Sequence, residues 1–166
     1  MEEERTYEKG LRPVSYSVNQ WSRIMQYEDM NGAGRLFGGR LMEWIDEVAG
    51  IAAIRHSGHD VTTACIDNLQ FKAGVFLGDL LIIISRVTYV GNTSMEVRVD
   101  SYIEDIPTGM RRPVNRAYVT EVCIDEAGHP VPVPYGLEIT SESEKAEYEG
   151  AKRRIAMRKQ RRQEGF

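Results

Sequence analysis

The sequence predicts an α+β fold in which one long apolar helix packs against an antiparallel β-sheet. A glycine-dense loop leads into a helical pattern of apolar residues that ends at Ser57 and Gly58, a pair suited to a helix C-terminus. Four segments with strand-like alternation then follow one another, joined largely by short turns. One helix followed by consecutive strands is the order expected of an α+β domain with an antiparallel sheet.

The predicted helix begins at the Gly38–Gly39 pair. With about 100° of rotation per residue, five apolar side chains share one face: Leu41, Ile45, Val48, Ala49 and Ala52. Glu43 and Glu47 lie on the opposite side. Asp46 falls at the border of the apolar face, and periodicity leaves two interpretations of it open: a functional acid, or an interface residue paired with a nearby arginine.

Five strands are predicted in all. An early strand lies within residues 13–27, and four later ones cover residues 61–72, 80–90, 95–104 and 114–125. Residues 80–84 are all apolar, which favours a strand that is covered on both faces. Because a single helix covers only one face of a sheet, we expect the protein to self-associate.

The chain is expected to form one domain, because 166 residues with 42% hydrophobic content can bury a sizeable core. Residues 1–12 are predicted to be a flexible N-terminus, residues 13–135 the domain, and residues 136–166 a charged helical extension capped at Ser141 or Ser143. No apolar run reaches the roughly 18 residues of a membrane span, so no membrane partner is expected. The acidic N-terminus resembles neither a secretory signal nor a transit peptide, which indicates a cytoplasmic protein.

The net charge of −4 is unevenly distributed. Residues 150–166 carry seven basic side chains and one acidic side chain, or +6, which leaves −10 on residues 1–149. A solvated helix is the leading interpretation of this basic segment. The alternatives are that it contacts polyanions, the body of the protein or a neighbouring subunit. Nucleic acid is not an expected partner.

The start of the helix has the features of a site for acyl chemistry. The first amides of a helix have no intrahelical partner, and the helix dipole favours developing negative charge there. Glycines at positions 38 and 39 would let a carbonyl or phosphate oxygen approach the backbone closely, with an ordinary turn and cap as the alternative. His56, His59 and His129 lack metal-ligand spacing, and no metal or other cofactor is expected.

A series of motifs follows a recognisable order along the chain: Asn31, Gly34, the run Phe37-Gly38-Gly39, Asp46, residues 90–95 (VGNTSM) and residues 125–128 ahead of a Pro-Val-Pro run. In order and spacing this series resembles the active-site pattern of hotdog-fold acyl-CoA thioesterases. The likeness is greatest to the cytosolic acyl-CoA hydrolase subgroup, including its small bacterial members, and covers approximately residues 15–134.

The resemblance implies a hotdog fold, in which an antiparallel sheet wraps around one long central helix. It also implies that two subunits join their sheets edge to edge, that the homodimer is the minimal active unit, and that dimers assemble further as trimers of dimers. The implied reaction is hydrolysis of acyl-CoA to a free acid and CoA. A non-catalytic acyl-CoA-binding module is the alternative function.

The resemblance also implies roles for residues at the dimer interface. Asp46 would activate a water molecule or attack the thioester carbonyl itself. The Gly38 amide would stabilise the oxyanion, and Gly39 would allow the substrate to come close to the backbone. Asn31 of the partner subunit would orient the water or the carbonyl. Phe37 stands where several hotdog groups have histidine, which argues against dehydration chemistry.

Two further sets of residues are expected to contact CoA. One lies along the pantetheine or nucleotide path, unless it is a plain hairpin: Gly91, Asn92, Thr93 and Ser94. The other would supply cations for the CoA phosphates, and the sequence does not choose among its members: Arg86, Arg111, Arg112 and Arg116.

Overall fold

The computed structural model describes residues 6–67 and 69–165. In these residues the helices and strands follow in the order β1 (Leu11–Pro13), α1 (Val14–Ser17), β2 (Asn19–Ile24), a 3₁₀ turn (Tyr27–Asp29), α2 (Gly38–Ser57), β3 (Asp60–Asp67), β4 (Leu80–Val90), β5 (Ser94–Asp105), β6 (Met110–Ile124), β7 (Gly136–Glu138) and α3 (Glu142–Glu164). A five-stranded antiparallel sheet, ordered β2-β4-β5-β6-β3, curls around α2, and β1 pairs with β7 in a separate two-stranded sheet. The predicted α+β fold, a sheet around one long helix with a charged C-terminal helix, is confirmed.

Helix α2 forms the centre of the hydrophobic core. The five apolar residues predicted to share one face are at most 1% exposed, and they pack against inner-face residues such as Ile83, Val97 and Val119. Burying a side chain of the size of Leu or Ile stabilises the fold by about 1.5–3 kcal/mol, so this face fixes the helix against the sheet. The helix ends as predicted, with Gly58 at φ +73° and its N–H donated to the Ile54 carbonyl.

The early strand predicted within residues 13–27 is interrupted. Val14–Ser17 forms a helical turn, and only Asn19–Ile24 is a strand. The Ser17 hydroxyl donates to the Val14 carbonyl and accepts the N–H of Val87, which closes the turn and attaches it to β4. A short hydroxyl side chain that bonds to its own backbone competes with an extended conformation.

Two later strands also differ from their predicted bounds. The strand predicted at 61–72 ends at Asp67, and after Asn68, which lies outside the described residues, the segment is attached to β6 by the Lys72 N–H. Strand β6 begins at Met110 rather than at 114, because a turn with Gly109 at φ +70° lets the two strands pair up to their ends.

A β-bulge in β3 directs two nearby side chains to opposite faces of the sheet. The register with β6 shifts between Thr63 and Cys65, so one extra residue interrupts the alternation. Thr63 therefore faces α2, where its hydroxyl contacts Asp46, whereas Asp67 faces α3 and binds Arg158. Without the bulge, two residues four positions apart would share a face.

Helix α3 packs on the outer face of the sheet. Its cap is Ser141, one of the two predicted positions, whose side chain accepts the N–H of Glu144. Three of its arginines bind sheet carboxylates: Arg154 binds Glu96 at 2.7 Å, and Arg158 and Arg161 bind Asp67 at 2.6 and 2.7 Å. For these side chains the solvated-helix interpretation is wrong, and contact with the body of the protein is correct.

The apolar run of β4 is largely buried within one chain. Helix α3 packs against β4, and Leu81, Ile82 and Ile83 of the apolar run are each at most 3% exposed within one chain. Leu80 and Ile84, at the two ends of the run, are only partly buried. This strand by itself therefore gives only weak support for an oligomer.

Pairing between β1 and β7 connects the two ends of the described chain. Leu11 lies opposite Gly136 and Arg12 opposite Leu137, so part of the segment predicted to be flexible, residues 1–12, belongs to a strand. Residues 1–5 lie outside the described residues. Within the described chain, none of the helices combines the length and the apolar character needed to cross a bilayer.

Candidate active site

The first turn of α2 offers two unused backbone donors. The helix begins at Gly38, and the N–H groups of Arg40 and Leu41 donate to the Phe37 carbonyl. The N–H groups of Gly38 and Gly39 have no acceptor in the described part of the chain. Because they lie at the positive end of the helix dipole, they are suited to bind an oxygen that acquires negative charge.

Packing of two aromatic rings accounts for the glycine pair. A Cβ atom on Gly38 would lie 3.2 Å from Cζ of Phe71, and one on Gly39 would lie 2.6 Å from Cε1 of Phe37. The second distance is shorter than real Cβ contacts allow, so a side chain at position 39 would have to displace the Phe37 ring. Because glycine has no side chain, it leaves room for these rings beside the first turn of α2 and leaves the amides of that turn accessible.

Asn31 and Gly38 line the same groove. The groove has a volume of about 400 Å³, and its walls combine apolar and polar groups, including Leu36, Phe71 and Val75. Asp46 and Gly39 are not among the residues that line it. The structure thus brings together two of the four residues that the resemblance assigns to catalysis.

The Asn31 side chain is held so that its amide nitrogen remains available. Its Oδ1 accepts the N–H groups of Ala33 at 2.9 Å and Arg35 at 3.2 Å, and this closes the glycine-rich loop. Nδ2 has no acceptor among the described residues, so the free function of the side chain is that of a donor. A donor at this position can bind a thioester oxygen or the oxygen of a water molecule.

Asp46 lies two turns farther along α2, with its side chain exposed. Its Oδ1 accepts the Thr63 hydroxyl at 2.5 Å, and no arginine binds it in the described residues, so the pairing with arginine that periodicity left open is not observed. Eight residues of helix separate Asp46 from Gly38, a rise of about 12 Å. Within one chain, the carboxylate and the free amide therefore do not converge on a single carbonyl group.

Glu121 is a second carboxyl group beside Thr63, and the sequence did not predict either residue. Glu121 is fully buried on the inner face of β6, with Oε1 3.1 Å from the Thr63 hydroxyl and Oε2 without any hydrogen-bond partner. Burial, together with the negative charge of Asp46, raises the pKa of Glu121 to about 7, although the Thr63 hydrogen bond opposes the rise. A sequence signal existed: Glu121 occupies an inward position in the alternation that includes Val119 and Cys123.

The predicted CoA-binding turn joins β4 to β5 and is also a structural hairpin. The Gly91 N–H donates to the Ser94 carbonyl at 2.7 Å, the Asn92 carbonyl accepts the Val133 N–H, and the Thr93 carbonyl accepts the Cys123 N–H. On the outer face, Gly91, Asn92 and Ser94 line a small cavity of about 170 Å³ together with Arg158 and Lys159 of α3. The backbone of this turn and the cationic side chains of α3 are thus adjacent at this cavity.

The cations proposed from the sequence lie elsewhere. Arg86 is 3.6 Å from the Asp100 carboxylate, and Arg111 binds Glu104 at 2.7 Å beside a separate groove at the β5–β6 turn. Neither lines the cavity at the β4–β5 turn of its own chain. In the described residues, no cluster of His, Cys, Asp and Glu could hold a metal ion.

Two kinds of similarity to known sequences are found. Residues 33–110 match the family model of the thioesterase superfamily. The Bacillus subtilis (strain 168) protein named uncharacterized acyl-CoA thioester hydrolase YkhA is 40% identical over 114 residues, which are 69% of this chain and 66% of that protein. The cytosolic acyl coenzyme A thioester hydrolase of Rattus norvegicus is 33% identical over 154 residues; the match includes 90% of this chain but only 40% of that protein.

Solved structures match the fold along nearly the whole chain. An apo hexameric acyl-CoA thioesterase superposes with a TM-score of 0.86 at 38% identity, over 92% of this chain and 97% of that one. The acyl-CoA hydrolase of Staphylococcus aureus, in complex with butyryl coenzyme A, coenzyme A and coenzyme A disulfide, superposes with a TM-score of 0.87 at 36% identity, over 93% of each chain.

Variants of the Staphylococcus aureus enzyme have also been solved, in which an asparagine, an aspartate or a threonine is replaced by alanine. In that enzyme the asparagine precedes the aspartate by 15 positions and the threonine follows it by 17. Asn31, Asp46 and Thr63 have the same separations in this chain.

Proposed function

Because the chain belongs to the thioesterase superfamily of hotdog-fold proteins, we propose that it hydrolyses acyl-CoA thioesters to a carboxylic acid and free CoA. The observation that carries the proposal is the contact between the Asp46 carboxylate and the Thr63 hydroxyl. Together with Asn31, these residues have the spacing of the three positions substituted in the Staphylococcus aureus acyl-CoA hydrolase. The rat relative is named a cytosolic enzyme, and we place this activity in the cytoplasm.

In the proposed reaction, Asp46 acts as a general base. Its Oδ1 is engaged by Thr63, whereas Oδ2 has no hydrogen bond within the described residues and can accept a proton from water. The water oxygen bonds to the thioester carbon, and the oxyanion that forms is bound by the Gly38 amide. When this intermediate collapses, the carbon–sulfur bond breaks and the proton held by Asp46 passes to the CoA thiolate.

Attack by Asp46 itself on the thioester is the alternative sequence of steps. It would form an acyl–aspartyl anhydride, which water then opens. Label found in the protein after a single turnover in ¹⁸O-labelled water would identify the anhydride. The general-base reaction places the label in the released acid, and hydrolysis of the anhydride at the aspartyl carbon places it in the protein.

We further propose that each site is shared by two subunits. The groove of one protomer supplies Asn31 and the Gly38 amide, and its partner supplies the carboxylate, because within one chain Asp46 and Gly38 are separated by about 12 Å of helix. A homodimer is then the minimal active unit. The hexameric state of one structural neighbour supports assembly of three such dimers.

We place the CoA phosphates at the β4–β5 turn, where Lys159 and Arg158 line a cavity with Gly91, Asn92 and Ser94. Arg158 is already bound to Asp67, so Lys159 is the cation with more freedom to meet a phosphate. Lys159→Gln is expected to raise KM for acyl-CoA several-fold with little change in kcat, because it weakens binding equally in the ground and transition states. Arg111→Gln is the matched comparison. A larger rise in KM for Arg111→Gln would place the phosphates at the β5–β6 turn instead.

The test of the whole proposal is thiol release from a panel of short to long acyl-CoAs by the wild-type protein and by Asp46→Asn. We expect turnover by the wild type and a loss of at least about 10²-fold in kcat for Asp46→Asn, since an amide cannot accept the proton. Glu47→Gln, one residue away on the exposed side of α2, should leave kcat within about twofold. Binding of acyl-CoA without turnover by the wild type would instead indicate a non-catalytic acyl-CoA-binding protein.

A further inference from the structure

Thr63 stands between two carboxyl groups but has only one proton to donate. Its Oγ1 is 2.5 Å from Oδ1 of Asp46 and 3.1 Å from Oε1 of Glu121. If both carboxyl groups were ionised, one of the two contacts would bring oxygen lone pairs together without a hydrogen. The geometry therefore favours a proton on one of the carboxyl groups.

The surroundings identify Glu121 as the group that holds this proton. Its side chain is fully buried, and Oε2 has no hydrogen-bond partner, so the ionised form would be a buried charge without compensation. The groups that face it are Asp46 from α2, Thr63 from β3 and Cys123 from its own strand, with Met95 opposite on β5. None of these is a cation, and in the described chain no Arg, Lys or His bonds to Glu121. Asp46, by contrast, is exposed to solvent.

We propose that Glu121 is a positioning residue of the site, a neutral carboxyl group that donates to Thr63 and thereby commits the Thr63 proton to the Asp46 carboxylate. The proposal rests on the proposed hydrolysis, in which Asp46 is the base. Glu121 does not touch the substrate in this arrangement. It acts through Thr63, which holds Oδ1 of Asp46 and leaves Oδ2 free for water.

The chain of hydrogen bonds makes activity depend on the protonation of Glu121. Burial raises the pKa of Glu121 to about 7. Below that pH, Glu121 is neutral and donates. Above it, Glu121 becomes a second anion that competes with Asp46 for the Thr63 proton and repels its charge. The general base is then held less firmly, and the rate falls as the pH rises through the pKa of Glu121.

The decisive variant is Glu121→Gln, which has nearly the same shape, can donate through its amide and cannot ionise. We expect the ratio of kcat/KM for wild type over Glu121→Gln to fall by up to about tenfold between pH 6 and pH 8. In a Thr63→Val background the same ratio should change less with pH, since the hydrogen-bonded connection to Asp46 is removed and only charge repulsion remains. Ser85→Ala, which deletes another buried hydroxyl beside α2, should leave the pH profile unchanged.

A readout without turnover keeps this proposal separate from the proposed hydrolysis. The ¹³Cγ resonance of Asp46 should shift as Glu121 titrates near pH 7 in the wild type, and this step should be absent in Glu121→Gln and smaller in Thr63→Val. The wild-type titration and Thr63→Val need no substitution at Glu121, so they apply even if Glu121→Gln does not fold. Absence of acyl-CoA turnover together with this NMR step would contradict the hydrolysis alone. Parallel pH profiles for wild type and Glu121→Gln, or no step at Asp46, would overturn the role of Glu121.

Discussion

At the scale of single residues, position 121 is where the preference of the fold for apolar side chains and the chemistry of the site are in conflict. A strand position facing α2 favours an aliphatic residue, as at Val119, yet it holds a carboxyl group with one unpartnered oxygen. Such a group is costly to bury, and the cost is smallest when the group is neutral. The buried carboxyl group therefore lowers the stability of the fold. Buried groups with shifted pKa values are common among functional residues.

This cost predicts how stability depends on pH. The pKa of Glu121 is raised from 4.5 to about 7 on folding, so between these values the folded state holds a proton that the unfolded state has lost. The proton on Glu121 therefore contributes to the free energy of unfolding. This contribution is complete below pH 4.5, decreases as the pH rises, and is lost above about 7. The decrease amounts to about 3 kcal/mol for a shift of this size.

Denaturant unfolding of wild type and Glu121→Gln between pH 4 and pH 8 measures this contribution. The difference between their free energies of unfolding should change steadily from pH 4.5 to 7 and then become constant. A difference that does not vary with pH would show that Glu121 titrates normally.

At the scale of elements, α3 is attached to the sheet by charged pairs rather than by an apolar face. Ala151 is its one fully buried residue in the described helix, whereas Arg154, Arg158 and Arg161 bind Glu96 and Asp67. Burial would raise the pKa of Asp67, but its hydrogen bonds with Arg158 and Arg161 outweigh burial and lower it. The helix is therefore attached more firmly in neutral than in strongly acidic solution.

The pair between Arg154 and Glu96 should carry much of this attachment. Glu96 is 2% exposed and also accepts the Thr88 hydroxyl. Arg154→Ala would leave a buried carboxylate without its cation, and we expect a loss of about 3 kcal/mol in the free energy of unfolding. Arg153→Ala, on the exposed side of the same helix, should cost less than about 0.5 kcal/mol.

Thermal or denaturant unfolding of both variants measures these losses. The double variant Glu96→Gln with Arg154→Ala should recover part of the loss, because the buried charge is then removed as well. Equal stability of Arg154→Ala and Arg153→Ala would mean that α3 is attached mainly by its other contacts.

At the scale of the whole molecule, the proposed site needs two subunits, which a complementation experiment can test. In a dimer of Asn31→Ala with Asp46→Asn, one of the two shared sites keeps both wild-type residues and the other keeps neither. Random co-assembly of equal amounts should therefore restore about one quarter of the wild-type activity, because half of the dimers are mixed and one site in each is complete.

The measurement is thiol release after the two inactive proteins are unfolded and refolded together, with each refolded alone as the control. Restored activity would support sites built across a two-fold interface. Activity no higher than the sum of the separately refolded variants would show that Asn31 and Asp46 act within one protomer.

Local sequence patterns were sufficient to predict the central helix and to identify the candidate motifs in their order. The face formed by Leu41 and its partners, the start at Gly38 and the end at Gly58 all follow from spacing within a few residues of one another, and the structure has each of them. Strand limits were less predictable. Pairing at the Gly109 turn and the hydrogen bonds of Ser17 depend on a partner strand that the local pattern does not reveal.

What the sequence by itself determined is therefore the helix, its glycine start, the carboxylate at its border and the fold class, because each depends on short-range periodicity and backbone preference. The tertiary structure alone decided what Asp46 contacts. Thr63 is 17 residues from Asp46 and Glu121 is 58 residues from Thr63, and a bulge in β3 turns Thr63 toward the helix. The tertiary structure also decided that the basic segment pairs with Glu96 and Asp67. Contacts across such separations depend on how strands pair and which face each side chain takes, and no local pattern records that.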